Sequence, residues 1–210
     1  VSFPIRFPAA LGAAERYRLH PLRKDSLTTY RAKRDFSQTD EPSGKEAVAA
    51  SKELRFVIQR HDATRLHYDF RLELDGVFLS WAVTKGPSLD PKVKRLAVQT
   101  EDHPLDYGDF EGTIPEGQYG GGTVQLWDRG YWRPIGDPQQ GLRRGDLKFV
   151  LGGGRPDGSW VLVRMKWDRK GGSGKKSNWL LIKHRDEAAR EGDEDSVLEE
   201  NETSVASGRT

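Results

Sequence analysis

Side chains that could bind a metal ion are concentrated in one short stretch of this chain, residues 61–76. Between Leu66 and Leu74, apolar or aromatic residues alternate strictly with ionisable ones. Successive side chains of a β-strand point to opposite faces, so this period predicts a strand that buries one set and displays the other. The displayed set is His67, Asp69, Arg71 and Glu73, and a further imidazole, His61, lies just upstream.

Two imidazoles and a carboxylate form a ligand set for a divalent transition metal such as Mn²⁺ or Zn²⁺. Three of the five histidines of the chain fall at His61, His67 and His103. Arg71 would then hold a phosphate oxyanion beside the metal. The alternative interpretation is an ordinary solvated strand face, on which acidic and basic side chains only pair with each other.

Short runs rich in β-branched and aromatic residues recur from Leu54 onward, separated by turns that contain glycine. The pair Asp75-Gly76 is a strong hairpin signal. This spacing indicates a mainly β protein, either a β-sandwich or a barrel, with few and short helices and flexible termini. We expect a compact, closed or nearly closed antiparallel β-barrel, because closure removes edge strands and the barrel mouth offers a place for a site. Core packing is expected for Trp81, Trp127, Trp160 and Trp179, which lie within strand patterns.

The chain divides into three parts by composition. Residues 1–28 are weakly patterned and predict an extended arm, and residues 29–189 would form the β domain, beginning with a linker-like stretch at 29–45. Residues 190–210 are acidic and then polar, which predicts a disordered tail. The basic stretch 166–176 would be a loop able to contact a phosphate backbone.

Composition excludes several classes of function. The chain has no cysteine, so it forms no disulfide and has neither a thiolate nucleophile nor a Cys-ligated zinc. No apolar run approaches the length of a membrane span. The net charge of +2 argues neither for nor against nucleic acid. The glycine run at 116–123 lacks the Gly-Lys-Ser/Thr ending and the following helix of a phosphate loop, so we expect a tight turn between strands.

The chain resembles the 3′-phosphoesterase module of bacterial DNA ligase D from about Tyr30 to Arg185. The motifs that carry the resemblance are FVIQRH (56–61), LHYDFRLE (66–73), SWAVTKGP (80–87), VQTEDHPLDY (98–107), FEGTIPEGQYG (110–120) and WDRG (127–130). The resemblance implies a β-barrel enzyme of DNA end repair in non-homologous end joining. Such a module is Mn²⁺-dependent, removes a 3′-terminal ribonucleoside as a phosphodiesterase, and then removes the remaining 3′-phosphate as a phosphomonoesterase.

The resemblance also implies roles for individual positions. The metal ligands would be His61, Asp69 and His103. His67 and Arg71 would bind the scissile phosphate, with His67 also donating a proton to the leaving oxygen. Further phosphate contacts or monoesterase roles are implied for Tyr107, Lys85, Arg95, Arg34, Asp35 and Glu41, the last three because segment 29–45 matches a family segment that folds over the site. Gln59 and Glu101 would orient the ligands.

The expected cofactor is Mn²⁺, with Zn²⁺ or Co²⁺ as alternatives because these ions accept similar ligands. The expected partners are DNA 3′ ends and primer-templates with a terminal ribonucleotide, together with separate ligase and primase-polymerase proteins. A monomeric, cytoplasmic protein that works at the nucleoid is expected, either as a stand-alone enzyme or as a part of a larger ligase. The alternatives are a non-catalytic nucleic-acid-binding module, a scaffold in a repair complex, and a zinc hydrolase of small phosphoesters.

Overall fold

A computed structural model describes residues 26–46, 48–49, 51–165 and 177–210. Within these ranges the strands are β1 (Leu54–Asp62), β2 (Leu66–Leu74), β3 (Val77–Val83), β4 (Arg95–Gln99), β5 (Gly112–Ile114), β6 (Gly122–Pro134), β7 (Asp146–Gly152), β8 (Gly158–Arg164) and β9 (Asn178–Lys183). The helices are α1 (Thr28–Ala32), α2 (Pro138–Arg144), α3 (Ser196–Glu199) and a 3₁₀ helix at Leu105–Asp109.

Eight of these strands close into an antiparallel barrel in the order β1-β2-β3-β4-β9-β8-β7-β6, because β6 pairs with both β7 and β1. The short strand β5 pairs with the beginning of β6. The predicted barrel is therefore confirmed, with one long strand where the sequence shows two apolar runs around residues 122–134. The register between β1 and β6 shifts between Ile58 and Gln59 of β1, which leaves one extra residue in β6, as at a β-bulge.

The hairpin predicted at Asp75-Gly76 joins β2 to β3 and sets their register. Both turn residues have positive φ, 52° for Asp75 and 80° for Gly76. A two-residue turn with this backbone matches the twist of the flanking strands, so β2 and β3 pair along their length. The pairing places Asp69 opposite Ala82 and Arg71 opposite Ser80.

The alternation in β2 sorts its side chains between the inside and the outside of the barrel. Tyr68, Phe70 and Leu72 join the main apolar core, which also buries the four tryptophans predicted to lie there. The ionisable side chains of β2 therefore point outward from the barrel wall. The site consequently lies on the outer face of the wall, and the expectation of a site at the barrel mouth is wrong.

The C-terminal segment, residues 184–210, packs against the barrel, whereas composition predicted a disordered tail for residues 190–210. Val197 of α3 is buried in the main core. The indole N–H of Trp127 donates to the carbonyl of Asn201 (2.6 Å), and the backbone N–H of Val205 donates to the carbonyl of Leu126 (2.9 Å). The average composition of the segment is polar, but a few apolar residues and these hydrogen bonds to the backbone hold it on the barrel.

Truncation of Val197 tests this packing. Val197→Ala removes two methyl groups from the core and is expected to lower the free energy of unfolding by about 2 kcal/mol. Urea denaturation followed by tryptophan fluorescence measures the change. Val205→Ala is the matched control, because the Val205 side chain is 39% exposed in the same segment and its truncation should change stability by less than about 0.5 kcal/mol. Equal, small effects of both substitutions would show that the segment is not part of the fold.

Two predicted features, the arm over most of residues 1–28 and the basic loop at 166–176, lie largely or wholly outside the described residues. In the part of the chain that is described, no helix has the length and apolar character needed to cross a membrane.

Candidate functional site

A cleft of about 650 Å³ opens on the outer face of the barrel, over strands β1 to β4. Its walls come from the β1–β2 hairpin, from the polypeptide that follows β4, and from the turn between β5 and β6. Arg34, from the segment at 29–45, also lines it. The structure thus brings together residues that are separated by up to about 85 positions in the sequence.

Three side chains that could bind a metal ion meet at one end of this cleft, His61 from β1 and His67 and Asp69 from β2. One ligand atom from each lies within 4.8 Å of the others. The Nδ1 atom of His61 is 3.4 Å from Oδ2 of Asp69, and the Nε2 atom of His67 is 3.6 Å from Oδ1. The grouping follows from local structure, because His61 and His67 are direct partners in the β1–β2 ladder.

Backbone carbonyls determine which nitrogen of each imidazole is available. The Nε2–H group of His61 donates to the carbonyl of Gly120 (2.9 Å), and the Nδ1–H group of His67 donates to the carbonyl of Arg65 (2.9 Å). In the neutral rings the other nitrogens carry lone pairs, and both face the Asp69 carboxylate. Metal-bound imidazoles are held in this way, with the second ring nitrogen donating to a carbonyl or carboxylate.

Asp69 is kept ionised by its neighbours. Burial by itself would raise the pKa of Asp69, but the Arg71 guanidinium opposes burial, with further help from the imidazoles of His61 and His67 whenever they are protonated, and the pKa lies below its usual range. The Nη2 atom of Arg71 donates to Oδ2 at 3.0 Å. A permanent carboxylate and two lone pairs therefore converge on a small region, which is a donor set that suits a divalent cation such as Mn²⁺ or Zn²⁺.

The structure groups His61 and Asp69 with His67, whereas the expected ligand set had His103 as its third member. His103 lines the same cleft, but its Nε2 atom faces Nη2 of Arg34 at 3.3 Å, and its Nδ1–H donates to the carbonyl of Glu101 (2.9 Å). Burial, together with the guanidinium groups of Arg71 and Arg34, holds the pKa of His103 well below its usual range. His103 is thus a neutral imidazole whose lone pair accepts a hydrogen bond from an arginine.

Arg71 is the centre of a buried polar network beside the three metal-binding side chains. Its side chain is only 2% exposed and donates to Gln59 (2.8 Å), Ser80 (2.9 Å) and Asp69 (3.0 Å). Gln59 is held in turn because its amide N–H groups donate to the carbonyls of Tyr107 and Phe110. Since these bonds hold the planar guanidinium on several sides, its direction toward the cleft is set before any substrate binds.

A second polar layer connects the segment at 29–45 to the cleft. Arg34 donates from Nε to Glu41 (2.9 Å) and from Nη1 to Glu101 (3.1 Å), and Tyr107 donates its hydroxyl to Glu41 (3.0 Å). Burial raises the pKa of Tyr107 well above its usual value, so the phenol keeps its proton. Arg34 and Tyr107 line the cleft, whereas Glu41 is buried behind them and orients both.

The other predicted residues separate into two groups. Lys85 lines the cleft with an exposed side chain. Asp35 is exposed and bonds to Ser37, outside the cleft lining. Arg95 is buried and pairs with Glu194 and Asp195 of the C-terminal segment. Neither Asp35 nor Arg95 lines the cleft, so their roles in phosphate chemistry stay predictions, and Arg95 attaches the C-terminal segment to β4.

Sequence reasoning missed three residues that complete the site, namely Lys33, Tyr119 and Gly120. Lys33 bonds to Glu101 (2.8 Å) and to the hydroxyl of Tyr119 (3.0 Å), and its ammonium lies 4.5 Å from the centre of the Tyr119 ring. Burial alone would raise the pKa of Glu101, but the hydrogen bonds from Lys33 and Arg34 lower it. Gly120 supplies the carbonyl that orients His61. The turn predicted at 116–123 is present between β5 and β6, but nothing in its sequence indicated that it faces a site.

Comparison with known proteins identifies the family of this chain. A family model described as the DNA ligase D 3′-phosphoesterase domain matches residues 59–164, which include His61, His67 and Asp69. The multifunctional non-homologous end joining protein LigD of Pseudomonas aeruginosa is 56% identical over 185 residues, 88% of this chain and 21% of that protein. LigD of Mycobacterium tuberculosis is 46% identical over 148 residues, 69% of this chain and 19% of that protein. LigD of Mycolicibacterium smegmatis is 39% identical over 190 residues, 87% of this chain and 24% of that protein.

The chain thus spans about a fifth of the length of these relatives. The match is confined to a single domain, and within it the outward-facing residues of β1 and β2 form the centre of the site. The chain belongs to the DNA ligase D 3′-phosphoesterase domain family.

Proposed function

We propose that this protein is a metal-dependent phosphoesterase that heals DNA 3′ ends in non-homologous end joining. It would remove a 3′-terminal ribonucleoside as a phosphodiesterase and then the 3′-phosphate as a phosphomonoesterase, leaving a 3′-hydroxyl for a polymerase or a ligase. The observation that carries the proposal is the convergence of His61, His67 and Asp69 beside the fixed guanidinium of Arg71. Membership of the family supports it.

His61, His67 and Asp69 would hold the metal, for which Mn²⁺ is the first choice and Zn²⁺ or Co²⁺ the alternatives. A divalent ion in this position supplies Lewis-acid stabilisation of phosphate oxygens. As a ligand, His67 no longer suits the role of proton donor, because its Nδ1–H is held by the carbonyl of Arg65. Tyr107 keeps its proton, and its hydroxyl could donate to a phosphate oxygen if it turned away from Glu41, to which it donates in the absence of substrate.

The two hydrolytic steps place different demands on the side chains. In the first, water attacks phosphorus, the bond to the 5′-oxygen of the terminal nucleoside breaks, and the nucleoside leaves with a hydroxyl while the primer keeps a 3′-phosphate. In the second, water releases that phosphate as inorganic phosphate. In both steps negative charge develops on phosphate oxygens, and Arg71, with Arg34 behind it, is positioned to stabilise that charge.

A denaturing gel that separates the 3′-end products of a labelled primer tests the proposal. A 5′-labelled primer with one 3′-terminal ribonucleotide, annealed to a template, is incubated with the purified chain and Mn²⁺. We expect a product one nucleotide shorter with a 3′-phosphate, then the 3′-hydroxyl form, and no product in EDTA. DNA binding that survives EDTA, with no shortening in Mn²⁺, Zn²⁺ or Co²⁺, would instead indicate a non-catalytic binding module.

A further inference from the structure

The cleft has a second half whose chemistry differs from that of the metal and phosphate half. Its floor lies over β3 and β4, and it is lined by Ala82, Thr84, Val98 and Thr100, with Leu66 and Lys85 at its edge. The floor therefore presents methyl and hydroxyl groups. Lys85 and Arg65 are charged residues near its edge, whereas Arg34, Arg71 and His103 belong to the polar networks described above.

Strand register places this floor directly beside the metal-binding carboxylate. Asp69 is the ladder partner of Ala82, and Ala82 is the partner of Val98. Side chains of directly paired residues lie about 4.5–5.5 Å apart at Cβ. A phosphate held between Arg71 and the metal-binding side chains would thus have the floor next to one of its ester oxygens.

The floor suits an uncharged group rather than a second phosphate. Ala82 and Val98 line the cleft and are partly exposed, and neither carries a polar side-chain atom. Leu66, at the edge, is 42% exposed and so offers apolar surface to a bound group. The threonine hydroxyls of the floor can exchange hydrogen bonds with hydroxyl groups of a sugar.

We propose that this half of the cleft is a nucleoside subsite, which binds the sugar and base of the 3′-terminal nucleotide during the phosphodiesterase step. The proposal rests on the proposed function and adds the residues that hold the leaving group. A cleft of about 650 Å³ has the size of typical small-molecule sites, and a terminal nucleotide fits that class. Apolar contact with Leu66 and the Ala82–Val98 floor supplies affinity without preference for one base.

The two proposed reactions differ in the group that the subsite binds, and this makes the proposal testable. The diester substrate carries a terminal nucleoside, whereas the 3′-phosphate substrate does not. Ala82→Leu fills the floor and should lower the ratio of the diester rate to the monoester rate by at least about tenfold. Both rates are measured with Mn²⁺ on the full chain, using matched primers that end in a ribonucleotide or in a 3′-phosphate.

Ala188→Leu is the matched control, because Ala188 is also partly buried but lies outside the cleft lining. The ratio of the diester rate to the monoester rate in this variant should equal that of the unsubstituted chain. Thr84→Leu repeats the insertion at an exposed position, in case Ala82→Leu does not fold, as judged from its thermal melting curve. A ratio unchanged in the folded variants, or shifted as much by Ala188→Leu, overturns the subsite. An unsubstituted chain inactive on both substrates overturns the proposed function itself, which distinguishes the two failures.

Discussion

Replacement of His67 by alanine is expected to weaken Mn²⁺ binding by more than about 100-fold, whereas replacement of His103 by alanine is expected to leave most of that affinity intact. His67 presents a lone pair to the Asp69 carboxylate, as His61 does from the neighbouring strand. The lone pair of His103 is turned toward Arg34. Loss of a direct ligand removes one of three protein donors, and loss of His103 removes none.

The measurement is titration calorimetry, or the electron paramagnetic resonance signal of free Mn²⁺, on the purified chain without DNA. Circular dichroism confirms that each variant folds. Both variants should lose phosphoesterase activity, because His103 lines the cleft, so metal affinity is the property that separates them. If His103→Ala loses Mn²⁺ as fully as His67→Ala, His103 would be a ligand, as the family resemblance implies, and the geometric assignment that leaves it out would be wrong.

The second large effect is expected at Arg71. Arg71→Met removes the guanidinium that pairs with the buried Asp69, and the loss of one partner of a buried ion pair costs about 3–5 kcal/mol of stability. Turnover at saturating Mn²⁺ should fall by about 10²–10³-fold, as for the removal of a preorganised donor at a reacting oxyanion. Arg71→Lys should restore little, because one ammonium cannot reach Gln59, Ser80 and Asp69 together.

Ser80→Ala provides the control for this variant. It removes one acceptor of the same guanidinium and should cost only about 1 kcal/mol in the free energy of unfolding. Urea denaturation and single-turnover kinetics give the two quantities. If Arg71→Met were no more destabilising than Ser80→Ala and kept normal turnover, Arg71 would be neither the centre of the network nor a charge-stabilising group.

Much of the site is encoded locally, within one β-hairpin. The alternation in β2 determines that His67, Asp69 and Arg71 share a face, because neighbouring side chains of a strand must point apart. Only three residues separate β1 from β2, so His61 is brought opposite His67 by short-range pairing. The ligand set could therefore have been read from this hairpin alone. The family resemblance pointed to His103 instead of His67, and the Mn²⁺ titrations above decide between the two.

The residues around this hairpin could not be assigned in the same way. Lys33 and Arg34 reach Glu101 across 68 and 67 positions of the chain, and the contact depends on how a linker-like segment lies on the finished barrel. Arg95 has a basic side chain near the site in sequence, yet the barrel directs it to the C-terminal segment. Composition predicted disorder for that segment, because averages over a window do not show where its few apolar side chains meet a core.

The sequence by itself determined the β class of this protein, the faces of its strands and the chemistry of its central hairpin, since each depends on residues a few positions apart. Only the tertiary structure decided that Lys33 and Arg34 reach Glu101, that the site lies on the outer wall of the barrel, and that the C-terminal segment packs against β4 through Arg95. These features depend on closure of the barrel, which joins strands that are distant in sequence. The energy of such contacts is set by the three-dimensional packing of both partners rather than by either stretch of sequence alone.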